Sequence, residues 1–181
     1  MCREVPLTIP WPFVMRKIWE GAITFAQFVQ DAEQNIGLWE GVYRTTAVPK
    51  WAVERVSEHG TELRLLILAE DWCGDAANTV PVLAKLGAEA DGIEARIIRR
   101  DENPDVMDQF LTNGARSIPI AILLDADFKE IGHWGPRPSE LQQWVMDNKD
   151  SIPKEERYPQ VRRWYAKDKG ESILRELLEL L

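Results

Sequence analysis

One cysteine lies where a predicted strand gives way to a predicted helix. The apolar run at residues 65–69 has the length of one buried strand, and Cys73 follows it after three residues. Beyond Cys73, apolar residues recur at helical spacing. Because amides at a helix N-terminus stabilise negative charge, this position favours the thiolate, the nucleophilic form of cysteine. A small buried apolar residue is the alternative role, but a turn after a strand favours the functional one.

Opposing effects act on the predicted thiol. The helix N-terminus lowers the pKa of Cys73, whereas nearby carboxylates of Glu70, Asp71 and Asp75 oppose the thiolate by like charge. Arg116 offsets these carboxylates if it faces the same cleft, and forms a surface ion pair if it does not. We therefore expect a pKa of roughly 7 to 8.5, between an activated and a free thiol.

The residues around the cysteine resemble the active site of the thioredoxin-fold oxidoreductases. Trp-Cys-Gly at 72–74 matches the start of the family's Trp-Cys-Gly-Pro-Cys site, and Pro81 matches the proline that kinks its helix. Ser-Ile-Pro at 117–119 resembles the segment with the family's cis-proline, so the bond before Pro119 is predicted to be cis. The segments EDWCGDA, RRDENP, LTNGARSIP and GHWGPRP together are most similar to a bacterial branch of single-cysteine thioredoxin-like proteins.

The departures from the family pattern bear on mechanism. The family's second cysteine falls at Ala76, its proline at Asp75 and its buried aspartate at Ile67. A dithiol mechanism is therefore disfavoured, since thiol–disulfide exchange needs a second thiol to release the first mixed disulfide. Cys2 is the only other cysteine. The resemblance thus implies a monothiol oxidoreductase in redox homeostasis that uses Cys73 with a low-molecular-weight thiol as co-substrate and no cofactor.

Two further functions stay open. A thioredoxin-fold module could bind a peptide or partner protein in the same cleft without turnover, because the backbone beside the cis-proline pairs with extended chains in the family. A peroxide-reducing thiol is the weakest alternative, since the threonine usual in that class falls at Glu70. The residues that the resemblance implies in substrate binding, beside the catalytic Cys73, are Trp72, Gly74, Asp75, Arg116, Ser117, Ile118 and Pro119.

The order of elements predicts a thioredoxin-like α/β fold. Its three α/β/α layers have a four-stranded mixed sheet at the centre. We expect an N-terminal arm and helical extension at 1–60, a thioredoxin-like domain at 61–149 and a C-terminal helical extension at 150–181. The leucine-rich end either forms a dimer face or folds back on its own domain. The predicted strands are 64–69, 93–99, 119–124 and 128–134, and the helices of the central domain are 73–89, 103–114 and 138–147, with an irregular arm at 1–12.

Bulk composition limits the partners. The 181 residues are 45% hydrophobic and 29% charged, with a net charge of −8, which makes nucleic acid an improbable partner. The two histidines and two cysteines lack zinc-ligand spacing, so no metal site is predicted. No apolar run suits a membrane span and no signal peptide is recognisable. We therefore expect a cytoplasmic monomer or weak homodimer whose partners are protein thiols or disulfides or a small thiol.

Overall fold

The computed structural model describes residues 10–181, so Cys2 and most of the predicted arm lie outside the described residues. The strands are β1 (Leu63–Ala69), β2 (Ile93–Arg99), β3 (Ile120–Leu124) and β4 (Glu130–Trp134). The helices are α1 (Trp11–Gly21), α2 (Phe25–Gln30), α3 (Ile36–Thr45), α4 (Lys50–His59), α5 (Gly74–Glu89), α6 (Pro104–Met107), α7 (Ser139–Asn148), α8 (Lys154–Asp168) and α9 (Glu171–Leu178). The mixed sheet and its flanking helices confirm the predicted α/β fold class.

The sheet has the strand order β2-β1-β3-β4. β1 runs parallel to β2 through the crossover helix α5 and antiparallel to β3, which forms a hairpin with β4. Helices cover β1 on both faces, which is why it reads as a continuous apolar run. Leu68 pairs with Ile120 and Ala121 with Trp134. The end of β1, the start of β3 and the end of β4 therefore meet at one edge of the sheet.

Three predicted boundaries are wrong, one of them by more than a helical turn. α1 begins at Trp11 inside the predicted arm, with a proline in its first turn. α6 ends at Met107 instead of near 114, and two left-handed residues, Asn113 and Gly114, follow it. β4 begins at Glu130 because the preceding turn is longer than predicted, with Phe128 at a φ of 64°. The first error lies at a proline in the first helical turn, and the other two lie near residues with positive φ, which the apolar pattern does not reveal.

Helices α2, α3 and α4 pack on the face of the sheet that α5 also covers, whereas α1 places Met15 and Trp19 in the apolar cluster on the opposite face. The Thr24 hydroxyl accepts a hydrogen bond from the Gln27 amide and so caps the start of α2. The backbone of Ile23 forms an antiparallel bridge with Ile97 in β2, on the side of that strand away from β1. Trp39 of α3 is completely buried in the same apolar cluster as the inward side chains of β1. This extension therefore contributes to the core that supports the cysteine.

The C-terminal helices fold back on the same core. The buried side chains of α9 belong to the cluster beneath α5, so the fold-back alternative for the leucine-rich end is correct; they are Ile173, Leu174, Leu177 and Leu178. α8 packs beside α7 and brings Val161 and Tyr165 inward. The predicted three-part division of the chain stays a prediction. Among residues 10–181, no helix combines the length and the hydropathy needed to cross a membrane.

Candidate active site

Cys73 occupies the N-cap of α5, at the sheet edge where β1 ends. Its Sγ lies 3.5 Å from the Ala76 amide nitrogen, which donates to it, and 3.5 Å from the Ile118 carbonyl oxygen. The Ile118–Pro119 peptide bond is cis. The antiparallel register of β1 and β3 brings this segment opposite the cysteine. The structure therefore brings Cys73 and the Ser117–Ile118–Pro119 segment into contact, as the sequence predicts.

The thiol is less activated than its helix position suggests. Cys73 is half-buried and packs against the apolar clusters on both faces of the sheet. This burial raises the pKa of the Cys73 thiol above its ordinary value, the Ala76 amide opposes the rise, and the Asp75 charge adds to it. The predicted pKa of roughly 7 to 8.5 is therefore wrong in direction, because burial exceeds the effect of the helix terminus.

Two of the acidic neighbours, Glu70 and Asp71, accept hydrogen bonds from backbone amides of other segments. Glu70 is buried, and its carboxylate accepts the Asp101 amide at 2.8 Å. The Asp71 carboxylate accepts the Glu33 amide at 2.7 Å and the Gln34 amide at 3.2 Å. Both carboxylates thereby hold segments of chain against the end of β1. The prediction that they act on the thiol by charge is not supported, since Asp75 is the carboxylate whose charge raises the thiol's pKa.

Asp75 forms a buried ion pair that the sequence reasoning missed. The Arg137 guanidinium donates to both carboxylate oxygens, from Nε at 2.9 Å and from Nη2 at 2.5 Å. The Tyr165 hydroxyl donates to Oδ1 at 3.0 Å. Arg137 follows β4 at the same sheet edge, and Tyr165 belongs to α8. A carboxylate where the family has proline therefore ties the cysteine turn to the C-terminal extension.

The signals for these partners were present in the sequence. An acid in the first turn of a buried helix needs a cation or several donors, and Arg137 stands within the quoted segment GHWGPRP. Tyr158 and Tyr165 are seven residues apart on α8, which puts them on one face of that helix. Burial, and then the Asp75 charge, raises the pKa of the Tyr165 hydroxyl well above its ordinary value, so it stays a donor.

Gly74 is where α8 approaches the cysteine turn most closely. A Cβ added at Gly74 would lie 1.1 Å from the Tyr158 hydroxyl oxygen. No larger side chain fits there unless Tyr158 moves. The structure thus shows at Gly74 a close approach of α8 to the residue after the nucleophile, while the predicted role of Gly74 in substrate binding stays a prediction.

The remaining predicted residues line the mouth of the site. The Trp72 ring is 43% exposed, and the Arg100 guanidinium lies 4.8 Å from its centroid. Arg116 forms the predicted surface ion pair with Asp108 at 2.7 Å and also lines the cleft beside Cys73, while its predicted offset of the carboxylates near the thiol stays a prediction. The cleft has a volume of about 560 Å³, and α8 forms one of its walls. Within residues 10–181 no group of three metal-ligating side chains comes together.

The family model described as Thioredoxin matches residues 22–154. The chain belongs to the thioredoxin family. Among curated proteins, none matches the sequence significantly. The thioredoxin-family region thus includes the cysteine turn, the cis-proline segment and the Arg137 loop, together with most of the N-terminal helices.

Two solved structures share the fold over nearly the whole chain. A protein of unknown function from Pseudomonas aeruginosa is 20% identical, with 91% of this chain and 95% of that chain covered and a TM-score of 0.72. An HIV epitope-scaffold is also 20% identical at the same coverage, with a TM-score of 0.71. At this identity the likeness establishes the fold, and the coverage shows that this fold extends beyond residues 22–154.

The raised pKa of the Cys73 thiol predicts how its alkylation depends on pH. Iodoacetamide should alkylate Cys73 in the native protein with a midpoint above that of a free cysteine, since only the thiolate reacts. Because the folded pKa is raised, the group's contribution to stability is complete below the unfolded pKa and is lost as pH rises through the folded pKa. Stability relative to Cys73→Ser should therefore fall over that alkaline window. A midpoint below that of unfolded protein would contradict this assignment.

Proposed function

We propose that the protein is a thiol–disulfide oxidoreductase that works by a monothiol mechanism through Cys73 in redox homeostasis. One observation carries the proposal. The Cys73 sulfur lies between the Ala76 amide and the Ile118 carbonyl, opposite the cis-proline, while alanine stands where a resolving thiol would be. A nucleophile in this position can form a mixed disulfide, and no second thiol on its helix can release it.

The reaction proceeds in two exchanges. The Cys73 thiolate attacks one sulfur of a substrate disulfide, so that a bond from Cys73 to that sulfur forms as the substrate S–S bond breaks, and the other sulfur leaves as a thiolate that takes up a proton. A low-molecular-weight thiolate then attacks the bound sulfur and releases Cys73 as thiolate. Overall, one small thiol and the substrate disulfide give a free substrate thiol and a new disulfide between the small thiol and the captured sulfur, so the released substrate sulfur gains the electrons that the small thiol gives up. The Ala76 amide stabilises the Cys73 thiolate in both steps.

A peptide- or partner-binding module is the second candidate. Burial, which raises the pKa of Cys73, leaves less thiolate at neutral pH and favours recognition without turnover. In that role the Ile118 backbone and the exposed Trp72 ring would contact the bound chain. The two functions differ in one respect, which is whether Cys73 forms a covalent bond that a small thiol later releases.

Trapping of the mixed disulfide tests the proposal. The native protein, incubated with a small disulfide and freed of excess reagent, should gain the mass of one thiol at Cys73, and added thiol should remove it. Cys73→Ser should gain no mass under the same conditions. Matched circular dichroism spectra would show that the variant is folded. An unmodified Cys73 in folded protein, or a mixed disulfide that added thiol does not release, would leave the binding module as the function.

A further inference from the structure

The cleft at Cys73 is cationic although the chain is strongly acidic. Five basic side chains line it, and Asp75 is the acidic residue among the lining side chains; the basic residues are Arg100, Arg116, Arg137, Lys154 and Arg157. The whole chain, in contrast, carries a net charge of −8. A cluster of one sign in a concave site concentrates ligands of the opposite sign. The cleft therefore differs in charge from the rest of the protein.

The basic side chains differ in how far carboxylates neutralise them. Arg137 pairs with Asp75, and Arg100 pairs with Asp101 at 2.7 Å. In the described part of the chain, no carboxylate lies within 4.0 Å of Arg157, whose Nη1 donates to the carbonyls of Asn148 and Ile152 at 3.4 and 3.3 Å. Lys154 has no ion-pair partner there either, and it is exposed. These two residues on α8 supply positive charge that the described residues do not neutralise.

We propose that this cleft selects a low-molecular-weight thiol that carries carboxylates, held by Arg157 and Lys154 while its sulfur reaches Cys73. The assignment rests on the proposed function and specifies its co-substrate. A volume of about 560 Å³ suits a small ligand rather than a domain surface. Guanidinium and ammonium groups bind carboxylates through charge-assisted hydrogen bonds. The C-terminal extension thus supplies the recognition groups and the central domain supplies the nucleophile.

Binding of unreactive analogues tests this assignment without turnover. The probes are S-methylglutathione and S-methylmercaptosuccinate, which carry carboxylates and a blocked sulfur, and their methyl esters, which lack the negative charge. Calorimetry on the full chain at low salt should detect binding of at least one acid and none of its ester. Arg157→Gln should weaken that binding by about tenfold, as expected for loss of one charged hydrogen-bonding group.

Matched variants separate this proposal from the proposed function. Lys167→Gln removes one positive charge from the same helix at an exposed position outside the cleft, and it should bind the acid like the native protein. Cys73→Ser should also bind it, because recognition lies on α8. If acid and ester bind equally, or if Lys167→Gln weakens binding as much as Arg157→Gln, the assignment is overturned.

Failure of both acids to bind would overturn the assignment as well. Binding of the blocked peptide Asp-Glu-Ser-Glu-Asp in place of both acids would instead favour an acidic protein segment as the ligand. In each of these cases the formation of a mixed disulfide at Cys73, measured separately, decides whether the proposed function stands. Loss of mixed-disulfide formation with intact acid binding would overturn the proposed function alone.

Discussion

Substitution of Ala76 by cysteine is expected to create a dithiol reductase from this monothiol site. Residues three apart at a helix start face one another, and the Ala76 amide already lies 3.5 Å from the Cys73 sulfur. The introduced thiol would attack the mixed disulfide on Cys73 within the same molecule. Since an intramolecular thiol replaces a bimolecular step, insulin reduction without added small thiol should rise by at least about a hundredfold.

The measurement is insulin precipitation driven by a thioredoxin-reductase-type electron donor. The native protein should show only slow reduction that depends on added small thiol. Ala77→Cys is the matched control, since Ala77 is equally buried one residue further along α5 and its side chain points elsewhere. It should behave like the native protein. A folded Ala76→Cys variant with native kinetics would contradict the idea that the missing thiol limits the site.

The fold was predictable because its strongest signals are local. The apolar runs of β1 and β2 are bounded by polar turns, and the structure places β2 at the predicted residues 93–99. The helix cap at Thr24 and the left-handed Gly170, whose φ is +86°, also agree with what these residue types favour. The length of α6 was not predicted, because the helix ends at Met107 and the left-handed residues Asn113 and Gly114 belong to a separate turn closed by the Thr112–Ala115 bridge.

The candidate site was predictable only in part, for a related reason. Cys73 and the Pro119 segment are brought together by the register of β1 and β3, which the resemblance implied. Arg137 and Tyr165 reach Asp75 from 62 and 90 residues away. The sequence shows that Asp75 needs a partner, but it does not show which distant residues the fold brings to it. The predicted direction of the Cys73 pKa shift was wrong for the same reason, since burial of the thiol by two apolar clusters depends on tertiary packing.

Removal of Arg137 should cost more stability than removal of any exposed ion-pair partner. The Asp75 and Arg137 side chains are 10% and 22% exposed, so neither charge is well hydrated. Without Arg137 the carboxylate keeps the Tyr165 hydroxyl as a donor but loses its counter-charge. Breaking a buried pair in this way typically costs 3–5 kcal/mol, and we expect Arg137→Ala to lower the free energy of unfolding by about 3 kcal/mol.

Urea unfolding of the full chain measures this loss, and two comparisons identify its cause. Lys50→Ala breaks the Lys50–Glu54 pair, whose side chains are 89% and 54% exposed, and it should cost at most about 0.5 kcal/mol. Asp75→Asn combined with Arg137→Ala removes the buried charge together with its partner, so the double variant should recover part of the stability that Arg137→Ala loses. If the double variant is less stable than Arg137→Ala alone, the loss comes from packing and hydrogen bonds of the two side chains instead of an unpaired charge. In that case Asp75 would hold α8 against the cysteine turn chiefly by accepting the Tyr165 hydroxyl.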